Sequence, residues 1–235
     1  MKTWDYRLAR TAGALAFLVP LMLLAPAARA ELMLSQLVVD LAKPSQVRAD
    51  IEVWNSSDER AYVVAEPSEI VNAGTAGEER RNDRDPEQRG LLVSPARMIL
   101  EPGQRKLIRL AAIGPRSQSE RVYRVTVKPV AGELNSNATG LKLLVGYDVL
   151  VLLRPSQIRN DLSAVRAGDR ITFKNDGNAS LELIEGKQCT AGKTSCTTLP
   201  GKRLYAGATW IQQLTSSAPV EYTIVSHGQS SRKTY

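Results

Sequence analysis

The chain of 235 residues has a single histidine, two cysteines and few aromatic residues, which make up 5% of it. So few histidine and cysteine side chains leave little material for a transition-metal site, and we expect no metal and no cofactor. No Gly-x-Ser-x-Gly elbow is present, and the lone His227 reads as a turn or strand end, so we do not expect an enzyme. The apolar (43%) and charged (23%) fractions exclude a disordered or collagen-like chain.

Long apolar runs suited to a membrane are also missing beyond the first thirty residues. Basic residues precede an apolar run from Ala12 to Ala25, and the small-x-small pattern Ala28-Arg29-Ala30 follows it. This run is too short to cross a hydrocarbon core of roughly 30 Å. We therefore predict a signal peptide over residues 1–30 and an exported chain that is not embedded in a membrane. Its removal would lower the net charge from +7 to +4, since four basic residues and one acidic residue leave.

Charge is not clustered in a way that suits nucleic acid. The densest charge run, from Glu78 to Arg89, mixes both signs and has no aromatic residue that could stack on a base. We therefore expect no nucleic-acid partner. The surrounding polar stretch, between Asn72 and Gly90, contains too little apolar area to order itself, and we predict a mobile loop there.

The apolar pattern has a period of two, and no helical period stands out. Tyr123, Val125 and Val127, for example, alternate with polar residues, and turn sequences separate such runs at intervals of roughly 8 to 12 residues. This predicts an all-β fold of sandwiches. Because a long apolar strand ends at Arg154-Pro155-Ser156, we expect two domains, over residues 31–155 and 156–235.

Residues 141–153 form an unusually long candidate strand. Its second half is continuously apolar, and its first half places four apolar side chains on one face, namely Leu141, Leu143, Val145 and Tyr147. Two interpretations stay open. It is a long central strand, or its first half lies near a sheet edge and presents these side chains to a partner.

Cys189 and Cys196 are seven residues apart in a chain predicted to be exported. Oxidising compartments favour disulfides, so we predict that this pair closes a hairpin.

Several motifs together resemble the periplasmic pilus-assembly chaperones of the chaperone/usher pathway. In chain order they are Val93-Ser94-Pro95-Ala96-Arg97, Leu100-Glu101-Pro102-Gly103-Gln104, Glu120 with Tyr123-Arg124-Val125, and Leu152-Leu153-Arg154-Pro155. The resemblance implies two immunoglobulin-like β-sandwich domains set in an L. It also implies a periplasmic chaperone that caps fimbrial subunits by lending its G strand and delivers them to an outer-membrane usher.

Counting back from Arg154-Pro155, the resemblance places the lending positions on Leu141, Leu143 and Val145. Two positions that hold the subunit's terminal carboxylate in the family carry Val39 and Leu150 here, and an apolar side chain cannot bind a desolvated carboxylate. Arg124 and Lys128, on the preceding strand, are the candidate substitutes. The alternative is that both are merely solvated.

The resemblance also implies a buried ion network between the two domains. Glu120 and Arg154 match the family's Glu and Arg, whereas the position of its Asp holds Ser226. We therefore expect an ion pair of two members, Glu120 and Arg154.

Two other functions stay open. The chain could itself be a fimbrial structural subunit, although a subunit carries one incomplete sandwich and this chain has two strand sets. It could also be an exported β-sandwich binding protein, although its few aromatic residues are scattered and do not form a sugar platform.

Overall fold

The computed structural model describes residues 32–130, 144–190 and 195–235, and over these ranges it is built almost entirely from β-strands. The alternation of period two explains them. In Arg121–Val130, Tyr123, Val125 and Val127 are buried, while the residues between them are partly exposed. The predicted signal peptide, residues 1–30, lies outside the described ranges.

The first ten strands and one short helix precede residue 154. They are β1 (Leu32–Leu34), β2 (Val38–Leu41), β3 (Arg48–Asn55), β4 (Ala61–Val71), β5 (Glu79–Arg81), α1 (Pro86–Arg89), β6 (Leu91–Ser94), β7 (Arg97–Leu100), β8 (Arg105–Ala112), β9 (Arg121–Val130) and β10 (Tyr147–Leu153).

These strands make two sheets that share one core. In the described residues one sheet has the order β1-β3-β8-β6, and the other has the order β2-β10-β9-β4-β5, with β7 also paired to β4. The β2–β10 pair is parallel, whereas β10 and β9 are antiparallel. Ile51 and Ile108 from the first sheet and Val125 and Val151 from the second lie in the common core, fully buried.

Eight further strands follow. They are β11 (Leu162–Ala167), β12 (Arg170–Asn175), β13 (Leu181–Cys189), β14 (Cys196–Thr198), β15 (Lys202–Leu204), β16 (Thr209–Gln213), β17 (Val220–Ser226) and β18 (Gln229–Thr234).

A second pair of sheets is formed by these strands. In the described ranges the orders are β11-β12-β16 and β14-β13-β17-β18, with β15 paired to β13. Phe173 is at the centre of their core, stacked on Trp210 at 5.6 Å between ring centroids and edge-on to Tyr222 at 5.4 Å. The predicted fold class, all-β with two sandwich-like sheet groups, is confirmed. The predicted domain boundary at residues 155/156 falls between β10 and β11.

The predicted disulfide is confirmed as well. Cys189 at the end of β13 faces Cys196 at the start of β14, and their sulfurs are bonded. On chain-entropy grounds, closing so short a loop stabilises the fold by about 2 to 3 kcal/mol.

The predicted loop between Asn72 and Gly90 is wrong in part, because β5 and α1 lie within it. Polar contacts help to order this segment. The Arg89 side chain is 7% exposed and donates from Nε to the carbonyl of Leu91 at 3.0 Å, and the carbonyl of Arg89 accepts from the Tyr123 hydroxyl at 2.9 Å. Composition alone does not reveal such contacts.

The strand predicted over residues 141–153 is also shorter in the structure. β10 begins at Tyr147, and the described residues 144–146 before it carry no strand. Residues 141–143 lie outside the described ranges. Within those ranges, no helix has the length and apolarity of a membrane span.

Candidate functional site

The first half of β10 has a strand neighbour on one side. Its pairing with β9 runs along its whole length, from Tyr147 opposite Val127 onwards. Pairing with β2 begins only at Leu150, whose N–H donates to the carbonyl of Leu37 at 2.9 Å. In the part of the chain that the structure describes, no other strand pairs with β10 on that side. Residues 147–149 thus have an open side, without a strand neighbour among the described residues, on which the Asp148 carbonyl accepts from the Arg124 side chain.

One face of this segment changes from buried to exposed within five residues. Val149 is fully buried, Tyr147 is half-buried, and Val145 is 66% exposed, the three being two residues apart. The Tyr147 hydroxyl donates to the carbonyl of Leu32 at 2.7 Å, and its ring packs on the first core. Tyr147 thus belongs to the rim of its own sandwich. Leu141 and Leu143, the remaining predicted lending positions, lie outside the described residues.

Gly146 allows the segment to lie close to β9. A Cβ atom at this position would come within 2.7 Å of the Cβ of Lys128 and 3.2 Å of the Val127 carbonyl oxygen. Any larger side chain would push the segment away from β9. Glycine here therefore keeps Val145 beside the sheet.

The two apolar residues at the family's anchor positions are both buried. Val39 lies in the first core and is 3% exposed. Leu150 belongs to a small apolar cluster with Val122 and Leu152, onto which Tyr205 packs from the second pair of sheets. Neither side chain can bind a carboxylate.

Arg124, one of the two candidate substitutes, lies directly opposite Leu150 on β9. It lines a cleft of about 340 Å³ together with Arg80, Asp148, Tyr205 and other side chains. Its Nη1 donates to the Asp148 carbonyl at 3.2 Å, and its Nε lies 3.9 Å from the Asp148 carboxylate. A guanidinium is thus present beside Leu150, one of the two positions that the resemblance assigns to the carboxylate anchor.

Lys128, the other candidate, does not line this cleft. Its Nζ forms an ion pair with Glu66 at 2.9 Å. Lys128 and Arg124 are therefore not brought to the same cleft.

Asp148 is shared by two guanidinium groups. Arg80 donates to both of its carboxylate oxygens, at 2.9 and 3.3 Å, and Thr126 donates to one at 3.0 Å. Partial burial by itself would raise the pKa of Asp148, but the hydrogen bonds from Arg80 and Thr126 and the nearby positive charges outweigh it and lower the pKa. Asp148 is thus ionised at neutral pH. Because the guanidinium groups of Arg80 and Arg124 share this one carboxylate, one of them can bind a second anion.

A buried guanidinium follows the other end of β10. Arg154 is 4% exposed and donates to both carboxylate oxygens of Asp40, each at 2.9 Å. Its Nη1 also donates to the Glu120 carboxylate and to the Ser180 carbonyl, the latter at 2.8 Å. Ser180 directly precedes β13, so this guanidinium joins the two pairs of sheets.

The expectation that Glu120 and Arg154 form a network of only two members is wrong, because Asp40 is a third. Leu152 faces Asp40 across the β2–β10 pair, which brings Asp40 to Arg154 from 114 residues away. Ser226 has another partner, donating to the side chain of Asn160 at 2.9 Å. The sequence offered one sign of this third member, because Asp40 is an acidic residue within the apolar strand Val38–Leu41.

Burial and charge act in opposite directions in this network. Burial raises the pKa of Glu120, against the lowering effects of Arg154 and Ser180. Burial alone would lower the pKa of Arg154, but hydrogen bonds to Asp40 and the charge of Glu120 outweigh it and raise the pKa. The guanidinium stays charged and depends on both carboxylates for its pairing.

His227 lies next to this network in a hairpin turn. With Gly228 it forms the two-residue connection between β17 and β18, at φ angles of 52° and 73°, typical of a type I′ turn. Both ring nitrogens are buried and have no hydrogen-bond partner among the described groups. Burial, followed by the charge of Arg154, lowers the pKa of His227 below its ordinary 6.5, while Asp40 opposes this. The imidazole is therefore neutral at pH 7.

Comparison with known proteins identifies the class. Residues 31–159, more than half of the chain, match the family described as pili and flagellar-assembly chaperone, PapD N-terminal domain. The chain therefore belongs to this family of assembly chaperones.

Individual proteins that this chain resembles are named as fimbrial proteins, one as a subunit and two as chaperones. The chain is 28% identical over 147 residues to an Escherichia coli protein named as a CS1 fimbrial subunit; the match covers 59% of this chain and 61% of that relative, less than two thirds of its length. The crystal structure of the class 5 fimbriae chaperone CfaA is similar at a TM-score of 0.66 and 23% identity, covering 86% of this chain and 98% of that one. The SafB chaperone, solved in complex with the Salmonella enterica SafA pilin, is similar at a TM-score of 0.62 and 18% identity. That match covers 89% of this chain and 98% of the other.

Replacing Glu120→Ala should lower the free energy of unfolding by about 3 kcal/mol, since it leaves the buried Arg154 guanidinium with incomplete pairing. Urea denaturation measures this. The matched control is Glu101→Ala, which removes the exposed partner of Arg60 and should cost less than about 1 kcal/mol. An unchanged melting temperature for Glu120→Ala would contradict the role of the network.

In the His227→Asn variant, the melting temperature should decrease less than in the parent as the pH is lowered. Because the folded-state pKa of His227 lies below 6.5, the unfolded chain binds more protons as the pH falls past that value, and folding is destabilised. Asparagine tolerates the same turn and does not titrate. We expect a smaller loss of melting temperature between about pH 7.5 and about pH 5.5 in the variant than in the parent. Parallel curves for the two proteins would count against it.

Proposed function

We propose that this chaperone captures fimbrial subunits through strand donation. The donor segment, residues 141–147, would add to the incomplete sheet of the subunit, placing Leu141, Leu143 and Val145 in its groove. The observation that carries the proposal is the face of β10 that leaves its own core, from the buried Val149 to Val145, 66% exposed. The open side of the same strand supports it.

The energetics of such a complex are favourable without any covalent step. Burying one apolar side chain of this kind contributes about 1.5 to 3 kcal/mol before the cost of ordering. Backbone hydrogen bonds along the open side of β10 would add to this. The matching family is one of assembly chaperones. Two of the similar solved structures are complexes, one of the SafB chaperone with the SafA pilin and one of a chaperone with a tip adhesin. We therefore infer binding to subunits, not catalysis.

The compartment is part of the same proposal. The basic and apolar pattern of residues 1–30 is typical of a signal peptide, and the Cys189–Cys196 disulfide suits an oxidising compartment. Both support export to the periplasm. Delivery of the captured subunit to an outer-membrane usher rests on the family resemblance.

We infer that Arg124 anchors the terminal carboxylate of the subunit. It lies across from Leu150 in a cleft where Arg80 and Arg124 share the single Asp148 carboxylate. The other acidic side chain of the cleft, Glu78, accepts from the backbone N–H of Gly74 at 2.7 Å. A second carboxylate would therefore complete the pairing of Arg124. Lys128 is a weaker candidate because Glu66 already pairs with it.

A structural role in the fimbria is the alternative that one observation favours, since the E. coli relative is named as a CS1 fimbrial subunit. Against it stand the match to a chaperone family and the two pairs of sheets in the described residues. Co-expression separates the two functions. A subunit made without a chaperone should aggregate, whereas a chaperone stays soluble and protects a co-expressed subunit.

Replacing Leu143 and Val145 together by Asp should abolish co-purification of a co-expressed subunit, since two charges would enter an apolar groove. We expect at least about a 100-fold loss of affinity. The matched control is Val165→Asp, because Val165 is also 66% exposed but lies on β11, far along the chain from the donor segment. Normal recovery of the subunit with the double variant would refute strand donation.

Arg124→Ala should weaken binding of the subunit tenfold or so, about 1.4 kcal/mol, through loss of one charge-assisted interaction. Lys128→Ala serves as the control and should bind as the parent does. A subunit lengthened at its C-terminus, whose carboxylate no longer reaches the cleft, should bind both proteins equally. If Arg124→Ala weakens binding of the lengthened and the natural subunit equally, Arg124 is not the anchor.

A further inference from the structure

One guanidinium on β5 connects three strands of the sheet that contains β10. Arg80 donates from Nε to the hydroxyl of Ser68 on β4 at 2.7 Å and from Nη2 to the hydroxyl of Thr126 on β9 at 2.8 Å. It also donates to both carboxylate oxygens of Asp148 on β10, at 2.9 and 3.3 Å. All five donors of a guanidinium lie in one plane, so these contacts fix the side chain in position.

Through Asp148, these contacts hold the start of β10. It lies on β10 before the pairing with β2 begins at Leu150, where β9 is the strand neighbour within the described ranges. The inner face of the same stretch is held by Tyr147, whose hydroxyl donates to the Leu32 carbonyl. Asp148 and Tyr147 point to opposite faces, so β10 is held on both sides at the place where it leaves the sandwich.

Asp148 is also the neighbour of the proposed anchor. Arg124 donates to its backbone carbonyl and lies near its carboxylate. Ser68, which accepts from Arg80, donates in turn to the carbonyl of Arg124 at 3.2 Å. The Arg80 contacts therefore reach both sides of Arg124, through its own backbone and through Asp148.

We propose that Arg80 is a positioning residue for the capture of subunits, which holds the root of the donor strand and, through Asp148, the Arg124 guanidinium. This inference rests on the proposed function. A strand that is ordered before binding loses less conformational freedom when a partner adds to it, so affinity rises without any new contact to the partner. Arg80 itself does not have to touch the subunit.

Hydrogen exchange of the free protein tests the positioning directly. In Arg80→Ala and in Asp148→Asn, the amides in peptides covering residues 144–149 should exchange about tenfold faster, with no comparable change in β17. Combining the two substitutions should add little, since each removes the same contact. The matched control is Arg81→Ala, on the same strand, whose exposed ion pair with Glu79 makes no contact with β10. Arg80→Lys keeps the charge but not the planar donors and should behave as Arg80→Ala.

Binding of the fimbrial subunit that co-purifies with the parent protein gives the second measurement. Arg80→Ala should bind it about fivefold to tenfold more weakly, with an unchanged melting temperature. Exchange and affinity equal to those of Arg81→Ala would overturn the role of Arg80 and leave strand donation intact. Loss of melting temperature with normal binding would show a purely structural role and would also overturn it. Full capture by the Leu143/Val145 double variant would instead remove the proposed function, whatever Arg80 does.

Discussion

Among the described residues, β10 has a strand neighbour on one side only over its first half, and on the other side the Asp148 carbonyl accepts from the Arg124 side chain. An edge of this kind exposes backbone donors and acceptors. Soluble proteins normally cover or charge an edge of this kind. Here the edge is held by β9 along its length, by the Tyr147 hydroxyl on the inner face and by Asp148 on the outer face. Contacts within the fold thus fix the start of β10.

The other end of β10 leads into a buried charged side chain. Arg154 follows β10 directly and is nearly inaccessible to solvent, so its desolvation has to be offset by complete pairing. Asp40 and Glu120 supply the charge, and the Ser180 carbonyl supplies a contact from the second pair of sheets. One strand therefore connects the open edge at its start with the junction of the two pairs of sheets at its end.

The cleft beside β10 places a guanidinium next to an apolar side chain. Leu150 is taken up by an apolar cluster with Val122, Leu152 and Tyr205, and Val39 is in the main core. Both side chains therefore contribute to apolar packing. The guanidinium of Arg124 stands one strand away, opposite Leu150, where the antiparallel register of β9 and β10 places it. Its two contacts with Asp148 set its direction.

The amino-acid sequence alone specified the fold class, because a period of two, as in Tyr123, Val125 and Val127, is typical of strands with one buried face. It also determined the disulfide, from two cysteines close together along the chain, and the family, from motifs in a fixed order. Three features became clear only from the folded chain: Asp40 completes the Arg154 network, Arg80 binds Asp148 across the sheet, and β10 begins at Tyr147. These features depend on side chains that are distant in sequence and meet only when strands pair in one register. The alternation of apolar and polar residues along a strand predicts which of its faces is buried. It does not predict which strand, if any, pairs with each of its edges.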